Sequence, residues 1–319
     1  MPNIKGKNTN SGTQYAFLES QDPGRAPGIR LQQPSNPWSP GLVGFTLFAM
    51  LGTLACVPTN DISKTTSQPS GGPASSQAPQ VGALSDPLVG GTQFNSLILE
   101  LQPMGSSQLS QETLNHVRAF LLTTLNWKTE QLRITQNPAL FNYSDPESAD
   151  GRLSVQWART IEKRVRKSHA VHHRGSIFVL ISDARASDDT DTARTWGLSH
   201  RSSSVILYHP TLLENSGHDD APQRWRLEAA VLEHELGHLL GLVNSSRTHS
   251  TPALETQVDP DHESSESPTH CSSKGCLMHA NTMGALHEAR NIEPDGVPTL
   301  CERCRNALEA IRKGAGIRQ

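Results

Sequence analysis

The sequence has almost no charge imbalance. Its 28 Lys and Arg nearly cancel 31 Asp and Glu, for a formal charge of −3, so nothing global points to a nucleic-acid partner. Aromatic residues make up only 5% and the hydrophobic set 35%, against 24 Gly and 21 Pro. That is lean for a core filling all 319 residues, and part of the chain is expected to stay unpacked. The main apolar stretch, Gly41 to Val57, falls short of the roughly 20 residues that span a bilayer comfortably. No internal repeat is present. Cysteine is scarce, at five, and four of these lie in the last 50 residues. Histidine, at 14, is what the chain has in quantity.

The N-terminal third divides by composition. Residues 1–40 are polar, rich in Gly, Pro, Ser and Asn, and read as a disordered leader. Residues 41–56 belong to the uncharged segment GLVGFTLFAMLGTLACV, whose length is nearer to the core of a signal peptide. It ends Leu54-Ala55-Cys56 and resembles the lipobox of bacterial lipoproteins. The resemblance implies lipidation of Cys56 and an extracytoplasmic, membrane-tethered protein. Thr53 stands where that pattern usually has Leu, and the nearest upstream cation is Arg30. An uncleaved N-terminal membrane anchor is the alternative, with the same address. Residues 57–88, SKTTSQPSGGPASSQAPQ at their centre, form a Ser/Pro/Gly/Gln linker that cannot build a core. The folded domain is expected over 89–319.

Within that domain two periodicities alternate. Phe94–Leu101, Leu132–Thr135, Ser176–Ile181 and Ser204–Tyr208 read as strands, and Gln108–Leu125 and Val155–Lys167 as helices. Asp220 reads as the N-cap of a further helix running through Leu240. Strands alternating with helices predict an α/β (α+β) layer structure, a sheet covered by helices. Arg152–Arg174 contains seven Lys/Arg and three His. It reads as the solvated face of the Val155–Lys167 helix, with Val155, Ala158, Ile161 and Val165 turned inward, rather than as an anionic-ligand patch.

The segment LEAAVLEHELGHLLGLVN carries the chemistry. His234-Glu235-Leu236-Gly237-His238 is an HExxH motif, and residues four apart share one helical face, so two imidazoles can converge on one ion. Leu227, Ala230, Val231, Leu239 and Leu240 give the segment the apolar faces of a packed helix. Neutral imidazole is a good zinc ligand, and catalytic zinc uses three protein ligands with an open position for water. Zinc lowers the pKa of that water towards ~7. Glu235, next to the first ligand, is placed to take the water's proton. Gly241 extends the motif to HExxHxxG, where a glycine can adopt positive φ and end the helix.

This extended motif resembles the metzincin form, which continues to a histidine three residues beyond the glycine; here that position is Asn244. Further on, His270-Cys271, then Cys276-Leu277-Met278, then Cys301-Glu302-Arg303-Cys304 follow in order. Together with the HExxH helix they resemble the archaemetzincin family, from His234 to Cys304. The chain departs from the family by about two dozen extra residues between Val243 and His270. The resemblance implies His270 as third ligand of a catalytic Zn2+ and Met278 as the methionine of the turn beneath that metal. Cys271, Cys276, Cys301 and Cys304 would hold a second, structural Zn2+. Within the insertion, His262 is the alternative third ligand, Asn244 ranks last, and His249, Asp259 and Asp261 are further ligand types.

The expected protein is therefore a zinc-dependent peptidase with Glu235 as general base, acting on a peptide or protein substrate. Its membrane link is the N-terminal anchor, and no nucleic acid is expected as a partner. The resemblance implies a twisted mixed sheet backed by helices, a small Cys-rich C-terminal subdomain, and an edge strand that pairs with substrate, for which Ser204–Tyr208 is the candidate. A catalytically inactive zinc-stabilised module of the same fold is the alternative. An extracytoplasmic address favours disulfides for the four clustered cysteines, whereas their Cys-x4-Cys and Cys-x2-Cys spacings suit a tetrathiolate zinc site. Alkylation under non-reducing conditions followed by mass spectrometry should recover four modified cysteines after metal removal. Two intact disulfides would end the zinc assignment.

Overall fold

Period-two alternation builds a sheet with two apolar faces. The computed structural model describes residues 81–141, 150–190, 193–216, 223–243 and 261–314. The leader, the segment ending at Cys56, most of the linker, and Asp220, Asn244, His249 and Asp259 lie outside those residues. The strands are β1 (Ser96–Pro103), β2 (Leu132–Gln136), β3 (Arg174–Ser182), β4 (Gly197–His200) and β5 (Ser204–Tyr208). Their order is β2-β1-β3-β5-β4. All neighbours are parallel except β4, which runs antiparallel to β5. This is the mixed-sheet α/β architecture expected.

Side chains at alternate positions sort between two cores. Leu97, Leu99 and Leu101 of β1, Ile177, Val179 and Ile181 of β3, and Val205 and Leu207 of β5 join the larger one. Phe178 and Leu180 of β3, and Ile206 and Tyr208 of β5, join the smaller one on the opposite face. Helices α1 (Gln111–Leu125) and α4 (Arg224–Leu239) cover the first face. Helix α2 (Val155–Val165) covers the second through Ala158 and Ile161, with Val155 and Val165 partly buried beside them. The basic run is thus the outer face of a packed helix, and its last arginine in the turn is structural. Arg166 donates to Glu162 at 2.7 Å and to the Ser176 carbonyl at 2.9 Å.

Local chemistry sets the helix ends. Ser110 Oγ accepts from Thr113 N at 3.1 Å and Ser154 Oγ from Trp157 N at 3.2 Å, the N-cap bonds that start α1 and α2. Helix α2 stops two residues before Lys167 because the chain turns extended at Arg166. The Lys167 and Ser168 N–H groups then bond the buried Glu100 carboxylate at 2.9 and 2.6 Å. Short helices α3 (His209–Glu214), α5 (Thr282–Ile292) and α6 (Glu302–Arg312), and strand β4, were not anticipated from pattern. The strand β5 assigned to substrate pairing is corrected: it is interior, bonded to β3 on one side and β4 on the other. Among the described residues the edge beside α4 is β4.

The cysteine-bearing C-terminal part shares the main core. Cys271, Cys276, Leu277, Met278, Leu286, Leu300, Cys304 and Leu308 are buried in the same cluster as the first sheet face. Leu84 and Leu88, at the end of the linker segment, are buried there too, through the single helical turn Ser85–Val89. Packing therefore begins a few residues earlier than Val89.

One polar clamp joins α1 to α4. His116 Nδ1 lies 2.6 Å from the buried Glu233 carboxylate and Nε2 lies 2.9 Å from Asp295. The hydrogen bond to Glu233 is the main reason that His116 is raised from an ordinary value near 6.5 to about 9, against the opposing effect of burial. A raised folded-state value stabilises below about 6.5, and the contribution is lost as pH rises through about 9. In chemical denaturation across that window, wild type should lose stability more steeply than His116→Gln. Parallel pH profiles would mean that the clamp is not coupled to folding.

Candidate metal centre

Helix α4 is buried on every side from Leu227 to Leu239, so each of its ionisable groups needs a partner. Glu228 accepts from Thr113 Oγ1 at 2.7 Å, Arg224 Nε at 2.6 Å and the Ser110 N–H at 3.2 Å, and meets His209 Nε2 at 2.9 Å. Burial alone would raise its carboxyl, but these donors hold it below the ordinary value. Glu233 has His116. The next residues, His234 and Glu235, face the other way.

His234 Nδ1 donates to the Leu277 carbonyl at 2.7 Å. That fixes the tautomer with the Nε2 lone pair pointing inward, the orientation that a metal-binding histidine takes. Nε2 of His238 lies 3.1 Å away, from the next turn of the helix. His270 arrives from the far loop, its ring centroid 5.3 Å from both His234 and His238. Ring nitrogens of all three lie within 4.8 Å of one another. His270 Nδ1 faces the Pro268 carbonyl at 3.1 Å and Ser267 Oγ at 3.0 Å. Its Nε2 is buried with no hydrogen-bond partner, an orphan that a metal ion would satisfy. Burial first, then the charge of neighbouring rings, pushes His238 well below its ordinary value and His270 down to about 3. Both stay neutral, as ligation requires. The residues present fit a divalent metal.

Glu235 lines the same small recess as His234, with Arg194, Trp196, Val231, Ala280 and Thr282. Ser199 Oγ of β4 lies 2.6 Å from the Glu235 carbonyl and 2.9 Å from its Oε2. Sequence reading missed both Ser199 and Arg194. Ser199 sits on a strand only four residues long, too short to show an alternating pattern, and Arg194 lies in the irregular stretch before it.

Beneath the helix, Met278 is fully buried. A Cβ on Gly237 would lie 2.4 Å from Met278 Sδ, so the glycine inside HExxH admits the methionine. Gly241 ends the helix with φ +89°, and Ser85 Cβ approaches to 2.5 Å of the place its own Cβ would take. Thr269, just before His270, holds φ +71°. That is a strained conformation for a β-branched residue, and its N–H bonds Glu263 Oε1 at 2.6 Å.

A second group forms about the cysteines. Cys271 and Cys301 Sγ are 3.6 Å apart, as are Cys276 and Cys304, far beyond the ~2.05 Å of a disulfide. All four are free thiols. Sulfurs around a tetrahedral zinc with bonds of about 2.3 Å would stand about 3.8 Å apart. Hydrogen bonds from neighbouring thiols, Cys276 first, lower Cys271 to about 5. Cys301 is also lowered, chiefly through Cys271, whereas Cys276 and Cys304 are raised, each through Cys271 first, so the four thiols share their protons unequally. His262, the alternative ligand for the first centre, is here: its Nε2 is 3.1 Å from Cys304 Sγ. Ligand atoms of His262, Cys271, Cys301 and Cys304 lie within 4.8 Å of one another. Among the described residues these two clusters are the candidate metal sites.

No protein-family model matches the chain, and no curated protein matches it.

Helix propensity alone predicts that Gly237→Ala stabilises by about 1 kcal/mol. The contact with Met278 predicts the opposite, because overpacking costs about 1–3 kcal/mol. Urea unfolding should show net destabilisation; a gain would mean that Met278 is not held against this turn.

Proposed function

We propose that the chain is a zinc-dependent peptidase of metzincin type, with one catalytic Zn2+ held by His234, His238 and His270 and a second, structural Zn2+ at the cysteines. One observation carries the reading. Three buried imidazoles converge with one nitrogen each, and a carboxylate follows the first of them on the same helix.

Bound there, zinc would supply Lewis-acid polarisation of a peptide carbonyl and acidify a water towards a pKa of ~7. The chain's own residues do the rest. Glu235 takes the water's proton and hands it to the leaving amine, and Ser199 Oγ holds that carboxylate in place. The edge strand β4 offers a substrate backbone its outer side, supplying main-chain hydrogen bonds that do not depend on substrate sequence. Leu277 fixes the His234 ring through its carbonyl, and Ser267 and Pro268 do the same for His270. The N-terminal segment ending at Cys56 would tether this domain outside the cytoplasm.

Burial of His234, His270 and Glu235, each about 1% exposed, favours a second reading, an inactive metal-stabilised binding module of the same fold. Chelator-sensitive hydrolysis of a peptide library separates the two. Glu235→Ala should keep the full metal content yet lower kcat/KM by roughly 10²–10⁴-fold. His234→Ala should lose one metal equivalent and all hydrolysis. Retained activity in Glu235→Ala removes the general-base role.

A further inference from the structure

His262 comes from the extra segment, outside the residues that carry the family resemblance, yet it is 1% exposed and buried against sulfur. Its Nε2 is 3.1 Å from Cys304 Sγ, and its ring nitrogen lies within 4.8 Å of the Cys271 and Cys301 sulfurs as well. The ring therefore sits over the face made by these three sulfurs. Cys276 is the remaining corner, 3.6 Å from Cys304 and bonded by the Cys301 N–H at 3.4 Å.

Four sulfurs already complete a tetrahedral shell. A shell of four thiolates around a dication carries two negative charges in a buried place, which is costly without donors. A ring N–H directed at the open face meets that need. The backbone agrees with this placement: the Ser272 N–H bonds the His262 carbonyl at 2.9 Å, just past Cys271. The same short loop returns to the first centre, where the Ser264 N–H bonds the His270 carbonyl at 2.7 Å.

We propose that His262 is a fifth member of the cysteine metal centre, donating a hydrogen bond from Nε2 to its thiolates and so raising the affinity of that centre for its metal. It is a positioning residue there and not a ligand of the histidine centre. The inference rests on the reading of the cysteines as a metal site, and the experiment keeps the two apart.

The full chain, stripped of metal, is titrated with Co2+ and then competed with a chromophoric chelator, for wild type, His262→Ala and His262→Gln. Wild type should show thiolate-to-cobalt charge transfer and the ligand-field bands of a four-sulfur site. His262→Ala should keep those bands and bind Co2+ at the sulfur site about 10–100-fold more weakly, the range found on removing outer hydrogen-bond partners of metal ligands. His262→Gln, whose amide can donate, should recover most of the loss. If charge-transfer bands are missing in wild type, the cysteine metal site itself is refuted. If they are present but both variants bind as tightly as wild type, the role of His262 is refuted alone. A shift of the ligand-field bands to longer wavelength in His262→Ala would also overturn the proposal, because it would place the imidazole inside the shell. Should the Ala variant fail to fold, His262→Leu stands in, because it fills similar space without a donor: unaltered Co2+ affinity at the sulfur site in a folded His262→Leu decides against the proposal equally.

Discussion

The hydrogen bond from His234 Nδ1 to the Leu277 carbonyl, 2.7 Å long, is the joint on which both centres turn. On the helix side it selects the tautomer and aims Nε2 at His238. On the loop side it fixes the backbone between Cys276 and Met278, whose neighbouring N–H at Leu277 bonds the Thr299 carbonyl. Cys301 lies two residues beyond that carbonyl. The imidazole cluster is therefore built on a loop whose shape is held by the sulfur cluster. Neither can be rearranged without the other, because both are embedded in one continuous core.

The burial of α4 explains why its acids are so heavily partnered. A helix enclosed on all sides is ordinarily apolar all round. This one carries Glu228, Glu233, His234, Glu235 and His238 within its enclosed stretch. Glu228 is tied to α1 and α3, Glu233 to α1, and Glu235 to β4. Each turn is locked to a different neighbour, so the helix has little freedom to rotate or slide. Such rigidity suits a pair of ligands that must meet within an ångström.

Much of this was legible in the residues, and the rest was hidden for definite reasons. Strands β1, β3 and β5 were visible as branched apolar runs, and α4 as a helix, because burial on both faces writes long signals. The parallel order and the interior position of β5 were not, since pairing partners leave no mark on a single strand. β4 escaped notice because Gly197, Leu198, Ser199 and His200 show neither alternation nor propensity. The HExxH spacing placed His234, Glu235 and His238 together, because helix geometry fixes residues four apart. His270 and His262 differ in a way that spacing could not decide. His262 lies within the extra segment and His270 directly after it, and only the three-dimensional course of the loop sends one ring to sulfur and the other to the imidazoles.

The strained left-handed residues mark where that loop is fastened. Val243 at φ +50° and Thr269 at φ +71° stand at the helix exit and beside His270. Between them, Asp261 and His262 are already secured, through Arg303 and Ser272 on one hand and Cys304 on the other. His262 thus takes its place from the C-terminal helix, so a change at Arg303 or Cys304 would be felt at the ring beside the sulfurs and, through the Ser264 N–H to the His270 carbonyl, at the imidazole cluster as well.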